Sequence, residues 1–99
     1  RGRCPVVLPS EAYLEWEANV RIQARNHIDP QAFPISEPCG VEAAIFYKGR
    51  RPDLSGCHES IGDALEGLLW TDDNLIMSWD GSRMLKDNDS PRVEITLRW

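Results

Sequence analysis

Apolar residues recur along this chain with two different periods, and the switches between them mark its elements. Tyr13, Trp16, Val20 and Ala24 stand three or four apart, the stripe of a helix buried along one side. Ser10 after Pro9 suits the N-cap of that helix, and Glu11 suits its first turn, where the dipole favours negative charge. Asn26-His27 and Asp29-Pro30 end it, and three prolines within residues 27–40 predict a connecting loop. Residues 41–47 are apolar at nearly every position, as in a strand covered on both faces. A second helical stripe follows at Leu54, Cys57, Ile61, Ala64, Leu65 and Leu68, opposite Ser55, Glu59, Asp63 and Glu66, and predicts a helix over 54–69. Residues 74–79 read as a strand, and Asp87-Asn88-Asp89-Ser90-Pro91 as a turn. In the last segment Val93, Ile95 and Leu97 alternate with Arg92, Glu94, Thr96 and Arg98, a strand with one wet face.

The resulting order, α-β-α-β-β, is that of an α/β fold: a small mixed sheet packed with two helices. The helix at 54–69 serves as a crossover between parallel strands at 41–48 and from about Asn74, with the strand at 92–98 antiparallel to the latter. Residues 1–99 form a single domain, since 99 residues support one modest core and neither a repeat nor a linker interrupts them. Trp16, Trp70, Trp79 and Trp99 are candidates for that core or for a subunit interface. No apolar run approaches the roughly 20 residues of a membrane span, and no secretory leader is legible. Cys4, Cys39 and Cys57 are odd in number and lack CxxC spacing, so they read as reduced thiols in a cytoplasmic protein.

A formal charge of -5 argues against a broad grip on phosphates. Its distribution changes that picture. Lys48, Arg50 and Arg51 cluster just ahead of Asp53, while much of the acid lies on the two helices. Any nucleic-acid contact is therefore local and salt-sensitive. Asp53 stands at the mouth of the second helix, and Asp72-Asp73 stands ahead of the next strand. If the flanking strands are adjacent and parallel, Asp53 and Asp73 are expected to converge at one edge of the sheet. Carboxylates so placed suit magnesium, which neutralises charge on a scissile phosphate and activates water. On this reading Asp53, Asp72 and Asp73 are metal ligands, and Lys48, Arg50 and Arg51 contact the phosphodiester. Plainer readings stand beside it. Asp53 suits a helix cap, Asp72-Asp73 a turn, Glu59 and Asp63 a solvated helix face, and the cations a solubilised strand end. Cys57 lies on the apolar stripe and reads as a buried thiol, and His58 has no spaced His or Cys partner.

Four blocks in order, Asp53-Leu54-Ser55-Gly56, Asp63-Ala64-Leu65-Glu66-Gly67, Asp72-Asp73-Asn74-Leu75-Ile76 and Pro91-Arg92-Val93-Glu94-Ile95, resemble the RusA family of Holliday junction resolvases. Leu8-Pro9-Ser10-Glu11-Ala12-Tyr13 and Glu15-Trp16-Glu17 are similar to the family's first helix. The resemblance implies a small homodimer that cuts four-way DNA junctions in recombination and repair, with magnesium, or manganese in its place, as cofactor. It also implies a first strand ahead of residue 1. Asp53 and Asp73 fall on the first and last catalytic aspartates. Ser55 stands where the family has its second aspartate, and Glu59 where it has a lysine. Glu59 lies one turn from Ser55 on the same helix face, so it is a candidate for the missing carboxylate and completes a catalytic set of Asp53, Glu59 and Asp73. The alternative is a weak or inactive relative that binds branched DNA or a protein partner. A resolvase makes two symmetric nicks, which suits a twofold dimer, with Trp70, Trp79 and Trp99 at its interface.

Overall fold

The computed structural model describes residues 2–9 and 16–99. Five strands and two helices follow in the order β1 (Arg3–Pro9), α1 (Trp16–Arg25), β2 (Cys39–Tyr47), α2 (Leu54–Ala64), a 3-10 turn (Asp73–Leu75), β3 (Ile76–Ser78), β4 (Arg83–Lys86) and β5 (Arg92–Arg98). The fold is the expected α/β class with a mixed sheet. The strands lie in the order β1-β5-β2, with β3 and β4 sharing the edge beyond β2. β5 is antiparallel to β1 and β2, and both β3 and β4 are parallel to β2.

Strand alternation builds the core. Register sets Leu97 between Cys4 and Val41, Ile95 between Val6 and Ala43, and Val93 between Leu8 and Ile45. All nine belong to one buried cluster, which Ile61, Ala64, Leu65, Leu68, Leu69 and Trp70 close from the α2 side. Alternate residues of the same strands point to the other face. There Glu42 pairs with Arg98 at 3.0 Å and Arg83 at 3.5 Å, and Arg92 pairs with Glu94 and Asp87.

The parallel relation of β2 to β3 and the wet face of β5 match the sequence pattern. Four features differ from it. Residues 3–9 form an edge strand to which the pattern assigned no element. β5 runs antiparallel to β3, but it lies on the far side of β2. Residues 83–86 form a further short strand, collinear with β3 along β2. Ser82 Oγ bridges the interruption between them by accepting the Ala43 N–H at 2.9 Å.

The fourth difference is that α2 stops at Ala64 instead of Leu69. Gly67 takes φ 82°, a conformation that suits glycine and cannot continue a helix, and its N–H bonds to the Trp70 carbonyl at 2.7 Å. The apolar residues past that break still face the core, because the turn folds back under the helix. Trp70 has no exposed surface, and its indole N–H donates to the Gly62 carbonyl at 3.0 Å. It therefore cannot line a subunit interface as expected, and Trp79 and Trp99 are only half-exposed. Ser10, Glu11 and Tyr13, assigned to the start of the first helix, lie outside the described residues, as do the side chains of Trp16 and Val20. Ala24 of that stripe is buried.

Trp70 carries the junction between α2 and the return turn. Trp70→Ala is expected to destabilise the fold by about 3–5 kcal/mol, and Trp70→Phe by about 1–3 kcal/mol through the unpaired Gly62 carbonyl. Urea midpoints of the two variants measure the difference.

Candidate metal and nucleic-acid site

Asp53 begins α2 as its N-cap. Its Oδ2 accepts the Gly56 N–H at 3.3 Å and the Ser55 hydroxyl at 3.0 Å. The Ser55 hydroxyl is thus committed as a donor to the Asp53 carboxylate. Arg51, Pro52, Leu54 and Met84 line an open cleft with Asp53 at the end of the sheet where β2 finishes. Lys48, Arg50 and Arg51 are exposed in the loop leading into it, and they form no ion pair among the described residues.

The other aspartates lie elsewhere. Asp72 caps the 3-10 turn, its Oδ1 accepting the Asn74 N–H at 2.9 Å, and Asp73 is the first residue of that turn. Glu66, just past the end of α2, accepts the Asp73 N–H at 2.9 Å. Glu66, Asp72 and Asp73 each offer a carboxylate oxygen within 4.8 Å of the others. Arg21 of α1 holds this corner by donating from Nη1 to the carbonyls of Ala64 and Glu66, both at 2.9 Å. Asp73 packs beside Gly62, where a Cβ would lie in ordinary van der Waals contact, 3.5 Å from Asp73 Cβ. Burial raises the Asp73 pKa, and the neighbouring Glu66, Asp63 and Asp72 raise it further.

The convergence of Asp53 with Asp73 expected from the sequence does not occur within one chain. Asp73 packs beside Gly62, nine positions down the helix that Asp53 begins, which is roughly 13 Å of helical rise. Along the sheet, Asp53 follows the C-terminal end of β2, while Asp73 precedes Ile76, which pairs with the first residue of β2. Ligands to one magnesium stand about 2.1 Å from it, so no single ion reaches both carboxylates. The expectation overlooked that a helical crossover carries the chain back along the sheet before the next parallel strand begins. Glu59 is exposed on α2 between the two ends and is not among the clustered carboxylates.

Glu66 is the residue that the sequence pattern misplaced. It read as part of a solvated helix face, but the break at Gly67 turns it toward Asp73. His58 also has surroundings invisible in the sequence. Its ring stacks on Trp79 at 4.2 Å with planes 7° apart, its Nε2 is buried without a hydrogen-bond partner, and burial lowers its pKa. Cys57 is half-buried, its pKa raised by burial and by the Asp53 charge, so it is no ready nucleophile.

Exposed cations at one end of α2 and clustered carboxylates at the other are the parts from which enzymes acting on phosphodiesters are built. Residues 1–98 match the family model described as endodeoxyribonuclease RusA, and the chain belongs to that family. A search of curated proteins gave no match. The family's enzymes are divalent-metal-dependent DNA endonucleases, and hard carboxylate oxygens crowded at Glu66, Asp72 and Asp73 fit such an ion.

Without an ion this crowding is unfavourable. A carboxyl whose folded pKa is raised contributes stability at low pH that is lost as pH rises through the folded value. Asp73→Asn is therefore expected to raise the thermal midpoint in EDTA at pH 7, with the gain shrinking towards pH 4. Millimolar magnesium is expected to raise the wild-type midpoint and to have little effect on the variant.

Proposed function

We propose that this protein is a magnesium-dependent, structure-selective endonuclease that cleaves four-way DNA junctions in recombination and repair, and that it works as a homodimer whose sites are divided between subunits. Family membership supports the reaction class. The observation that carries the division is the placement of Asp53 and the Glu66-Asp72-Asp73 trio at opposite ends of α2. Neither end is complete alone. One has the exposed cations and a single capping carboxylate, and the other gathers three carboxylates beside Arg21, whose Nη1 donates to the carbonyls of Ala64 and Glu66. Two copies related by a twofold axis set each end against its complement and create two equal sites, as paired nicks require.

In such a site Asp72 and Asp73, with Glu66, hold the metal, and Asp53 of the other copy adds a further carboxylate. Manganese, with the same preference for oxygen donors, is able to replace magnesium. The bound ion supplies charge neutralisation at the scissile phosphate and a water of lowered pKa. Arg50, Arg51 and Lys48 position the DNA backbone, and the N-terminus of α2 adds a partial positive charge beside it. Glu59, exposed on α2, is the chain's candidate for the carboxylate that Ser55 does not provide.

A second reading, a weak or inactive junction-binding relative, is favoured by one observation. Ser55 and the Gly56 N–H both donate to Asp53 Oδ2, so that carboxylate already serves as a helix cap. Ser55→Asp separates the two readings. Faster cutting of a four-way junction marks a site that the serine has crippled. Unchanged or slower cutting, together with loss of activity in Glu59→Gln, marks a site in which Glu59 has taken the role.

Asp53→Asn and Asp73→Asn are each expected to abolish magnesium-dependent cutting while sparing junction binding. Mixed in equal amounts and allowed to exchange subunits, they are expected to regain nicking, because about one divided site in four is then wild type. A site contained within one subunit leaves the mixture dead.

A further inference from the structure

Lys48, Arg50 and Arg51 lie on a loop that leaves β2 after Tyr47 and enters α2 at its cap, Asp53. Cations on a loose loop lose freedom each time they meet a phosphate backbone, which weakens binding. A loop held in place beforehand avoids that loss. The three side chains cannot hold it, because they are exposed and form no ion pair among the described residues. The loop backbone is what remains to be gripped.

The grip comes from the turn between β4 and β5. The Asp87 N–H donates to the Tyr47 carbonyl at 2.8 Å, at the root of the loop. Asn88 Oδ1 then accepts the Gly49 N–H at 3.1 Å, within the loop itself. Gly49 takes φ 71°, a bend that suits glycine. Among the described residues no other side chain bonds to the backbone of residues 48–52.

The turn that presents Asn88 is itself braced from the sheet. Asp87 Oδ1 accepts the N–H groups of Asp89 and Ser90, both at 3.1 Å, and Oδ2 accepts from Arg92 Nη1 at 3.0 Å. The same Nη1 donates to the Ser90 carbonyl at 2.8 Å, and the guanidinium lies 3.7 Å from the centre of the Phe46 ring. The residue type at 88 also fits its place. Aspartates flank it on both sides, yet the residue that touches the cationic loop is neutral. An aspartate there would accept the same N–H but set a negative charge beside the three cations, and so oppose a phosphate.

We propose that Asn88 is a positioning residue for DNA: its amide oxygen holds Gly49 and so sets Lys48, Arg50 and Arg51 in register with the phosphate backbone of a junction arm. Asn88 takes this role only if the loop meets DNA, as proposed above. It touches none of the carboxylates assigned to the metal, so its effect falls on affinity and KM and not on kcat.

Binding of a four-way junction to the intact protein in EDTA, measured over a range of salt, tests the role. Asn88→Ala is expected to weaken binding by roughly three- to tenfold, the contribution of one hydrogen bond. Its salt slope is expected to match wild type, because the same phosphates are met by a looser loop. Asn88→Asp keeps the acceptor and adds a charge, so it is expected to lower the slope by about one. With magnesium present, Asn88→Ala is expected to raise KM and to leave kcat within about twofold of wild type. Hydrogen exchange at the Gly49 amide is expected to quicken in Asn88→Ala and not in Asn88→Asp. Asp89→Ala, which removes an exposed side chain from the same turn, is expected to bind at least as tightly as wild type. In the background Lys48→Ala/Arg50→Ala/Arg51→Ala, adding Asn88→Ala is expected to cost no further affinity, since both changes act through one loop. An additive loss in that background overturns the proposal, because Asn88 then acts apart from the loop. Wild-type affinity in Asn88→Ala, alongside weak binding by the triple variant, overturns the proposal and leaves the DNA contact of the loop standing. A triple variant that binds like wild type removes that contact, and the role of Asn88 with it.

Discussion

Two parallel strands cannot be joined by a tight turn, so the chain that leaves β2 must travel back along the sheet before β3 can begin. In this protein α2 makes that return journey, and most of the molecule follows from it. The helix must bury Ile61, Ala64 and Leu65 against the sheet, which closes the core. It must also stop where the strand starts again, and Gly67 and the buried Trp70 make that stop. The same length of helix separates Asp53 from Asp73, so the crossover that builds the fold also divides the acidic residues.

Electrostatics separates the two ends further. Several arginines are committed to structure: Arg83, Arg92 and Arg98 pair with acids on the face of the sheet away from the core cluster, and Arg21 holds the end of α2. Lys48, Arg50 and Arg51 have no such partners among the described residues, so a chain of net charge -5 still presents a cationic loop. At the far end, burial and neighbouring carboxylates hold the Asp73 pKa high. That arrangement is costly for an isolated fold and useful for one that binds a cation. Membership of a family of DNA endonucleases gives this local conflict a purpose.

Ser55 and Glu59 lie on the half of α2 nearer the cationic loop. Ser55 and Gly56 make Asp53 a well-satisfied helix cap, and Glu59 places negative charge on the exposed side of the same helix. The Glu59 charge lowers the positive potential that a phosphate would meet there. The acidic trio and the cationic loop lie at opposite ends of α2.

The last strand and the parallel β2–β3 pair were legible because alternation and helical spacing report which side chains share a face, and burial on one face then dictates register. The aspartates and the basic cluster were legible as chemistry, since residue type and order suffice to suggest metal and phosphate. Three features were not. Residues 3–9 hold two prolines, which weaken their strand signal, and they become a strand by pairing with β5. Residues 83–86 become a strand only because β2 leaves them an open edge. Glu66 joins Asp72 and Asp73 only after the chain turns at Gly67. By itself the sequence determined the elements that carry their own periodicity and the kinds of groups available to a site. Which of those groups meet was decided by tertiary structure alone, because distance across a fold depends on where each crossover ends, and no local pattern records that.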